Sequence, residues 1–461
     1  MNSLSASLNP FALARAVPTN VPDSARPPSS KTRELMAAFD ELVCDFNSKG
    51  RLPDPSRLVC ECMKHDEVGV LREVLAFFKE MRTLRIQGPL DGGGWGTLAN
   101  AIPHGFTLAV LTLSDLVFDR FAAELLFQAL GKMPALVDLS LHRVGAEAGV
   151  MDASECPALK QLNTLSVVEA GFGEPGYASE SKDSVCDLLI KLLGVCQVQN
   201  LSINGLRFKV SGSGSGKLEG PVVTVDQNTR LGQALCRQSE LQVLRIKRCR
   251  ALVHVQDAMN PVQGSGHHLV QKTPVYEIPS LRLLDLSGNL LPGRTTAAIL
   301  VALGQGGTCL RHLNLSGNFI GDSTVAAMAF LLMKNRTLLS LSFEDAKGRD
   351  IHGAKVEHLV TQGELKQLTE ALEHNTSLRR LSFEATAGVD RRALLACLKR
   401  NRAAFRFSAL RAMLNSSGYR LSNDLVDHFA EEGARYLDGR DALNLSSVNK
   451  KALDARHRLL E

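Results

Sequence analysis

Cysteine, histidine and lysine are the residues here best suited to chemistry, and their spacing is the first test. Cys60, Cys62 and His65 stand together in CECMKH, with Cys44 upstream. Structural zinc sites favour cysteine pairs two to four residues apart. The C-x-C here is a poor match, and Cys60 and Met63 fall at helical spacing, so buried thiols on a helix are expected. The segment SGSGSGKLEG, Ser211 to Gly220, is glycine-rich before a lysine. A phosphate loop needs G-x-x-x-x-G-K-[ST], whose backbone N–H groups cradle phosphate. Ser211 holds the place of the first glycine and Leu218 follows Lys217, so a plain loop is expected. His267 and His268 have no cysteine or acid placed beside them, and are expected in solvent. Arg391, Arg392, Lys399, Arg400, Arg402 and Arg406 form a basic run that reads as a solvated helix face. A serine-hydrolase elbow, a zincin helix and a dinucleotide fingerprint are all missing. The expectation is a chain with no catalytic residue, no metal site and no cofactor.

Composition narrows the classes further. The 461 residues are 44% hydrophobic and 22% charged, enough to bury a sizeable core. Aromatics make up 5%, with one tryptophan, which argues against a base-stacking reader of nucleic acid. A net charge of +5 is too mild to name a polyanionic partner. No apolar run reaches the ~20 residues that span a bilayer, so no membrane span is expected. Ten cysteines scattered through apolar runs read as reduced, buried thiols rather than a disulfide framework.

The elements that would position any functional side chain show in the spacing of the aliphatic residues. The pattern L-x-x-L-x-L recurs ten times, beginning at Met81, Leu108, Leu136, Leu162, Val198, Leu241, Leu281, Leu310, Leu338 and Leu378. The steps are 27, 28, 26, 36, 43, 40, 29, 28 and 40 residues. Alternation within each copy predicts a strand with one buried face. Further along comes a helical period, as in Asp322 to Met333, where Val325, Met328, Leu331 and Leu332 share one face. One strand and one helix cannot bury their own apolar faces, but stacked copies can.

In these residues the chain resembles the leucine-rich repeat superfamily, and within it the ribonuclease-inhibitor-like subfamily. The clearest copies are LRLLDLSGNLL, from Leu281, and LRHLNLSGNFIGD, from Leu310. Asn289 and Asn318 match the family's asparagine, and Cys249 stands at the same position in its own repeat. The resemblance implies a structural ladder through these three residues, joining backbone groups of successive turns. Glu344–Asp345 and Glu384–Ala385 depart from that pattern. The implied fold is an α/β horseshoe solenoid of about ten strand–helix repeats, with helical caps. Some bacterial proteins of this superfamily carry a large C-terminal ubiquitin-ligase domain with a cysteine nucleophile. Here the last cysteine, Cys397, lies inside the final repeat.

The expected organisation is a disordered leader over 1–32, a helical N-terminal cap over 33–80, repeats over 81–405 and a helical C-terminal cap over 406–461. Four repeats are lengthened, near 170–183, 206–228, 250–278 and 345–362, and loops placed there would project from one edge. The residue between the last two anchors of each copy points away from the core. That column includes Arg85, Ser140, Arg245, Asp285 and Asn314; the next outward column includes His142, Lys247, Glu344 and Glu384. These nine are the expected partner-binding residues. Arg245, Lys247, Arg248 and Arg250 predict a basic centre beside acidic C-terminal strands carrying Asp285, Glu344, Asp345 and Glu384.

The expected function is protein–protein recognition by a monomer, through the concave face and the long loops, with no nucleic-acid partner. The leader has five prolines, six serines and one acid, Asp23, and resembles the uncleaved export signals of Gram-negative type III effectors. That resemblance implies a virulence protein secreted into a host cell. The alternative rests on residues 33–80, where Leu52–Pro53, a helix, an acidic turn and a second amphipathic helix resemble an F-box. It implies a substrate adaptor of a ubiquitin ligase.

Overall fold

The computed structural model describes residues 28–49, 53–88, 90, 92–118, 120–146, 159, 161–168, 184–205, 225–249, 278–291, 293–305, 309–349, 355–357 and 359–416. Expectations for residues 1–27, 170–183, 206–224, 250–277 and 417–461 lie outside the described residues. These include Arg250, His267, His268 and the SGSGSGK segment.

Three helices come first: α1 (Ser30–Lys49), α2 (Ser56–Lys64) and α3 (Val68–Phe77). Helix α1 begins before residue 33 because Ser29 starts it: its Oγ accepts the Thr32 N–H at 2.9 Å. Ten strands follow in one parallel sheet whose spatial order is the chain order. They are β1 (Thr83–Gln87), β2 (Val110–Ser114), β3 (Asp138–His142), β4 (Thr164–Val168), β5 (Asn200–Asn204), β6 (Val243–Lys247), β7 (Leu283–Asp285), β8 (His312–Asn314), β9 (Ser340–Phe343) and β10 (Arg380–Phe383). Interleaved with them are α4 (Gly92–Ala101), α5 (Arg120–Gly131), α6 (Ser184–Val195), α7 (Val225–Cys236), α8 (Gly293–Gln305), α9 (Asp322–Lys334) and α10 (Gln362–Glu373). Helix α11 (Arg392–Ser416) follows the last strand.

Burial alternates along the strands as the aliphatic spacing requires, for instance exposed–buried–exposed–buried–exposed in β1. Every anchor of the ten copies is buried except Leu381 and Phe383 of β10, which are only partly so. The helices form the opposite layer, with Val325, Met328, Leu331 and Leu332 of α9 turned inward. Helix α10 opens on a T-x-x-E box: the Glu364 carboxylate accepts the Thr361 N–H at 2.8 Å, and Thr361 Oγ1 accepts the Glu364 N–H at 3.3 Å.

Two expectations shift. The boundary placed at 405 falls within α11, because RNRAAFRFSALRAML carries no helix breaker. The insertion at 345–362 is not simply a loop: Lys347–Arg349 pairs antiparallel with Lys355–Glu357, and Val360 bridges Ala385.

Candidate recognition surface

A parallel sheet in unbroken register turns sequence columns into surface rows. Arg85, Thr112, Ser140, Ser166, Ser202, Arg245, Asp285, Asn314, Ser342 and Ser382 are consecutive register partners across all ten strands. Gln87, Ser114, His142, Val168, Asn204 and Lys247 form the next row over β1 to β6. The concave face therefore brings together Arg85, Ser140, His142, Arg245, Lys247, Asp285 and Asn314. Glu344 follows at the exit of β9 and Glu384 at that of β10.

The charge pattern differs from the expected one. Lys247 Nζ lies 2.9 Å from Asp285 Oδ2, and Asp285 is only 6% exposed. Its other oxygen accepts the Ser287 N–H at 3.1 Å. Asp285 is thus a buried strand-end acceptor that pairs with one cation of the expected basic centre, Lys247. A third outward row was missed: Thr83, Val110, Asp138, Thr164, Asn200, Val243, Leu283, His312, Ser340 and Arg380. It adds His312 and Arg380 to the strands expected to be acidic. Arg311 and Arg379, one residue earlier, add two more cations there. The alternation of the strands could have revealed this row by counting two residues back from each central position.

The ladder residues hold successive turns together. Asn289 Oδ1 accepts the Cys249 N–H at 2.7 Å, and its amide donates to the carbonyls of Ile246 and Leu286. Asn318 Oδ1 accepts the Leu291 N–H at 3.1 Å, and its amide donates to Leu286 and Leu315. Both side chains are fully buried, so each bond replaces water that cannot enter. A second set of buried amides links the helix ends to the next strands. Asn375 donates to the Leu332 and Asn335 carbonyls and accepts the Leu378 N–H at 2.7 Å. Asn401 donates to the Asn375 and Leu378 carbonyls. This set was legible as N-R-T-L at Asn335 and N-T-S-L at Asn375, 40 residues apart like the repeats themselves.

The backbone adds one more row. Gly88, Asp115, Arg143, Gly205, Arg248, Gly288, Gly317 and Asp345 all follow a strand and all have positive φ. At Gly317 a Cβ would sit 3.1 Å from the Gly288 Cα, so stacking as well as φ favours glycine. Asp115 and Arg143 tolerate the conformation while pairing across adjacent repeats, Nη2 to Oδ2 2.6 Å.

No protein-family profile and no curated protein sequence matches the chain. Among solved structures, the leiomodin-1 actin-binding site 2 is 23% identical with a TM-score of 0.26, covering 31% of this chain and 76% of that one. The complex of latrophilin 3, Unc5D and FLRT2 (LRR) gives 15% identity and a TM-score of 0.35, covering 71% and 85%. The yeast Rad7–Elc1 complex gives 13% and 0.27, covering 79% and 97%. The repeated anchors, the parallel register and the buried asparagines decide the class. The fold is a leucine-rich-repeat solenoid.

The thiols considered for zinc serve the solenoid's first edge. Cys60 Sγ accepts the Gln87 N–H of β1 at 3.4 Å, while Cys62 is fully buried. Burial pushes the Cys62 thiol up to about 12 and also raises that of Cys60. His65 turns to Glu61, 3.5 Å away. Among the described residues no three histidine, cysteine or acidic side chains converge as a metal site would need. The basic run is also partly engaged. Arg400 donates to the Leu372, Glu373 and Asn375 carbonyls at the end of α10. Arg392 pairs with Asp390, whose carboxyl that guanidinium holds down at about 2. No helix among the described residues is long and apolar enough to cross a membrane.

Proposed function

We propose that this solenoid is a non-enzymatic protein-recognition scaffold, acting as a monomer through its concave face and the long insertions. One observation carries the reading: a central row of ten in-register positions, rich in serine on β3 to β5. Small hydroxyl side chains let a partner approach closely, with little side-chain entropy to lose. We assign the solenoid to the ribonuclease-inhibitor-like kind on its repeat helices of 10 to 13 residues. We further infer a type III effector role inside a host cell, supported by the serine-rich, acid-poor leader.

The test is affinity capture from a host lysate with mass spectrometry, repeated with Ser166→Arg and Ser202→Arg. The captured protein should be lost with unchanged folding; its retention would sink the concave-face reading. Lys247→Glu is a poorer probe, since it sets a second acid against buried Asp285. For the effector role, residues 1–32 fused to a reporter should direct type III export. No observation favours the adaptor alternative. The apolar residues of α2 and α3 are largely spent on α4, on β1 and on each other, and no large exposed apolar side chain is found among the described residues of 33–80.

A further inference from the structure

The C-terminal third of the concave face carries two opposed rims. At the strand starts, Arg282 precedes β7, Arg311 precedes and His312 opens β8, and Arg379 precedes and Arg380 opens β10. None of the five is in an ion pair among the described residues. The strand ladder stacks them: the Arg311 N–H donates to the Arg282 carbonyl, the Leu339 N–H to that of Arg311 and the Arg379 N–H to that of Leu339. In the row beside this one His312 and Arg380 flank Ser340. Neighbouring strands lie about 4.8 Å apart, so these cations share one short rim. Their crowding is felt: after desolvation, Arg311, Arg380 and Arg379 push the His312 imidazole down, and Arg311 does the same to Arg379. The guanidinium of Arg379 is also held over the Phe405 ring of α11, 3.2 Å from its centroid.

At the strand exits the sign reverses, with Glu344 and Asp345 after β9 and Glu384 after β10. Arg380 and Glu384 are four residues apart along one extended segment, about 13 Å. Between the rims the floor is small and polar: Asn314, Ser316, Ser340, Ser342 and Ser382, with Ser316 and Ser342 hydroxyls 2.9 Å apart. Like charges gathered from residues 282 to 380, with no ion pair among the described residues, repel one another.

We propose that this third of the face binds a protein segment of bipolar charge, its acidic residues on the Arg311–Arg380 rim and its basic residues on the Glu344–Glu384 rim. The proposal rests on the recognition reading above and names the chemistry of the partner. A continuous polyanion fits poorly, because the acidic rim lies only about 13 Å from the basic one. Complementary charge of this kind selects partner and orientation.

The experiment uses the full chain and fluorescein-labelled peptides, with fluorescence anisotropy as readout. The bipolar probe is EEEEGGKKKK; the control of equal composition is EKEKGGEKEK. The bipolar peptide should bind at least about fivefold tighter, and weaken as salt rises from about 50 to about 300 mM. Arg311→Glu with Arg380→Glu should cut its affinity about tenfold or more, while Arg311→Lys with Arg380→Lys keeps most of it. Both pairs are surface changes, and a thermal melt should show no loss of stability. Equal binding of the two peptides, indifference to the charge reversal, or tighter binding of a single-stranded oligonucleotide would each overturn the proposal. A chain that loses its captured protein on Ser166→Arg yet ignores the bipolar peptide refutes this inference alone. A chain that keeps the captured protein on Ser166→Arg refutes the recognition reading itself.

Discussion

At one edge of the sheet, β1 is sealed; at the other, among the described residues, β10 is only partly covered. Leu84 and Ile86 of β1 are 2% and 0% exposed, because α2 lies along the strand's outer side. Helix α2 also satisfies the backbone there: Ser56 Oγ accepts the Arg85 N–H at 3.0 Å and Cys60 Sγ accepts that of Gln87. An open strand edge invites pairing with another chain, and side chains that occupy its N–H groups prevent it. The equivalent anchors of β10, Leu381 and Phe383, are only partly buried, although their sequence pattern is the same. Phe383 stacks on Phe343 at 5.5 Å and takes Arg391 over its ring at 5.2 Å, a one-sided packing. The pattern L-x-L thus states which face of a strand is apolar. Whether that face is buried depends on having a neighbour on each side.

The matched pair Leu84→Ala and Leu381→Ala should break or confirm this contrast most clearly. The first should cost about 3 kcal/mol, through lost burial and a residual cavity, and the second about 1 kcal/mol. Urea unfolding monitored with hydrogen exchange would compare them, and equal losses would show that β10 is covered as well as β1. Asn375→Ala comes next. It removes two donated bonds to the Leu332 and Asn335 carbonyls and leaves the buried Leu378 N–H without its acceptor, and should cost about 2–3 kcal/mol. A smaller figure would mean that the C-terminal half leans less on its amides than their geometry implies. Ser56→Ala should cost about 1 kcal/mol and speed exchange at the Arg85 amide, while exchange within β10 stays the same. The smallest effect concerns reactivity. Cys62 and Cys196, their thiols pushed up to about 12 by burial, should resist iodoacetamide at pH 8, whereas exposed Cys44 and Cys309 react.

The period of the aliphatic anchors made the strands, their buried faces and the central surface row legible, because alternation is a local property. The asparagine ladder was legible at Asn289 and Asn318, where consensus copies stand side by side. The second amide set was also written in the sequence, as N-x-[TS]-L, just ahead of the L-x-x-L-x-L anchors. The surface charge was harder to read. His312 and Arg380 lie on the third outward row, beyond the two nearest the strand exits, so the C-terminal strands are not simply acidic.

The sequence by itself determined that this chain stacks strand–helix repeats, since no single repeat can bury its own apolar face. It determined too the central row of outward residues. Only the tertiary structure decided how those residues combine. Stacking puts Lys247 beside Asp285, 38 positions later, and cancels both. It brings Arg311 and Arg380, 69 positions apart, onto one rim, where neither has an ion pair among the described residues. Charge acts through distance in space, and in a solenoid the nearest side chain in space belongs to the next repeat.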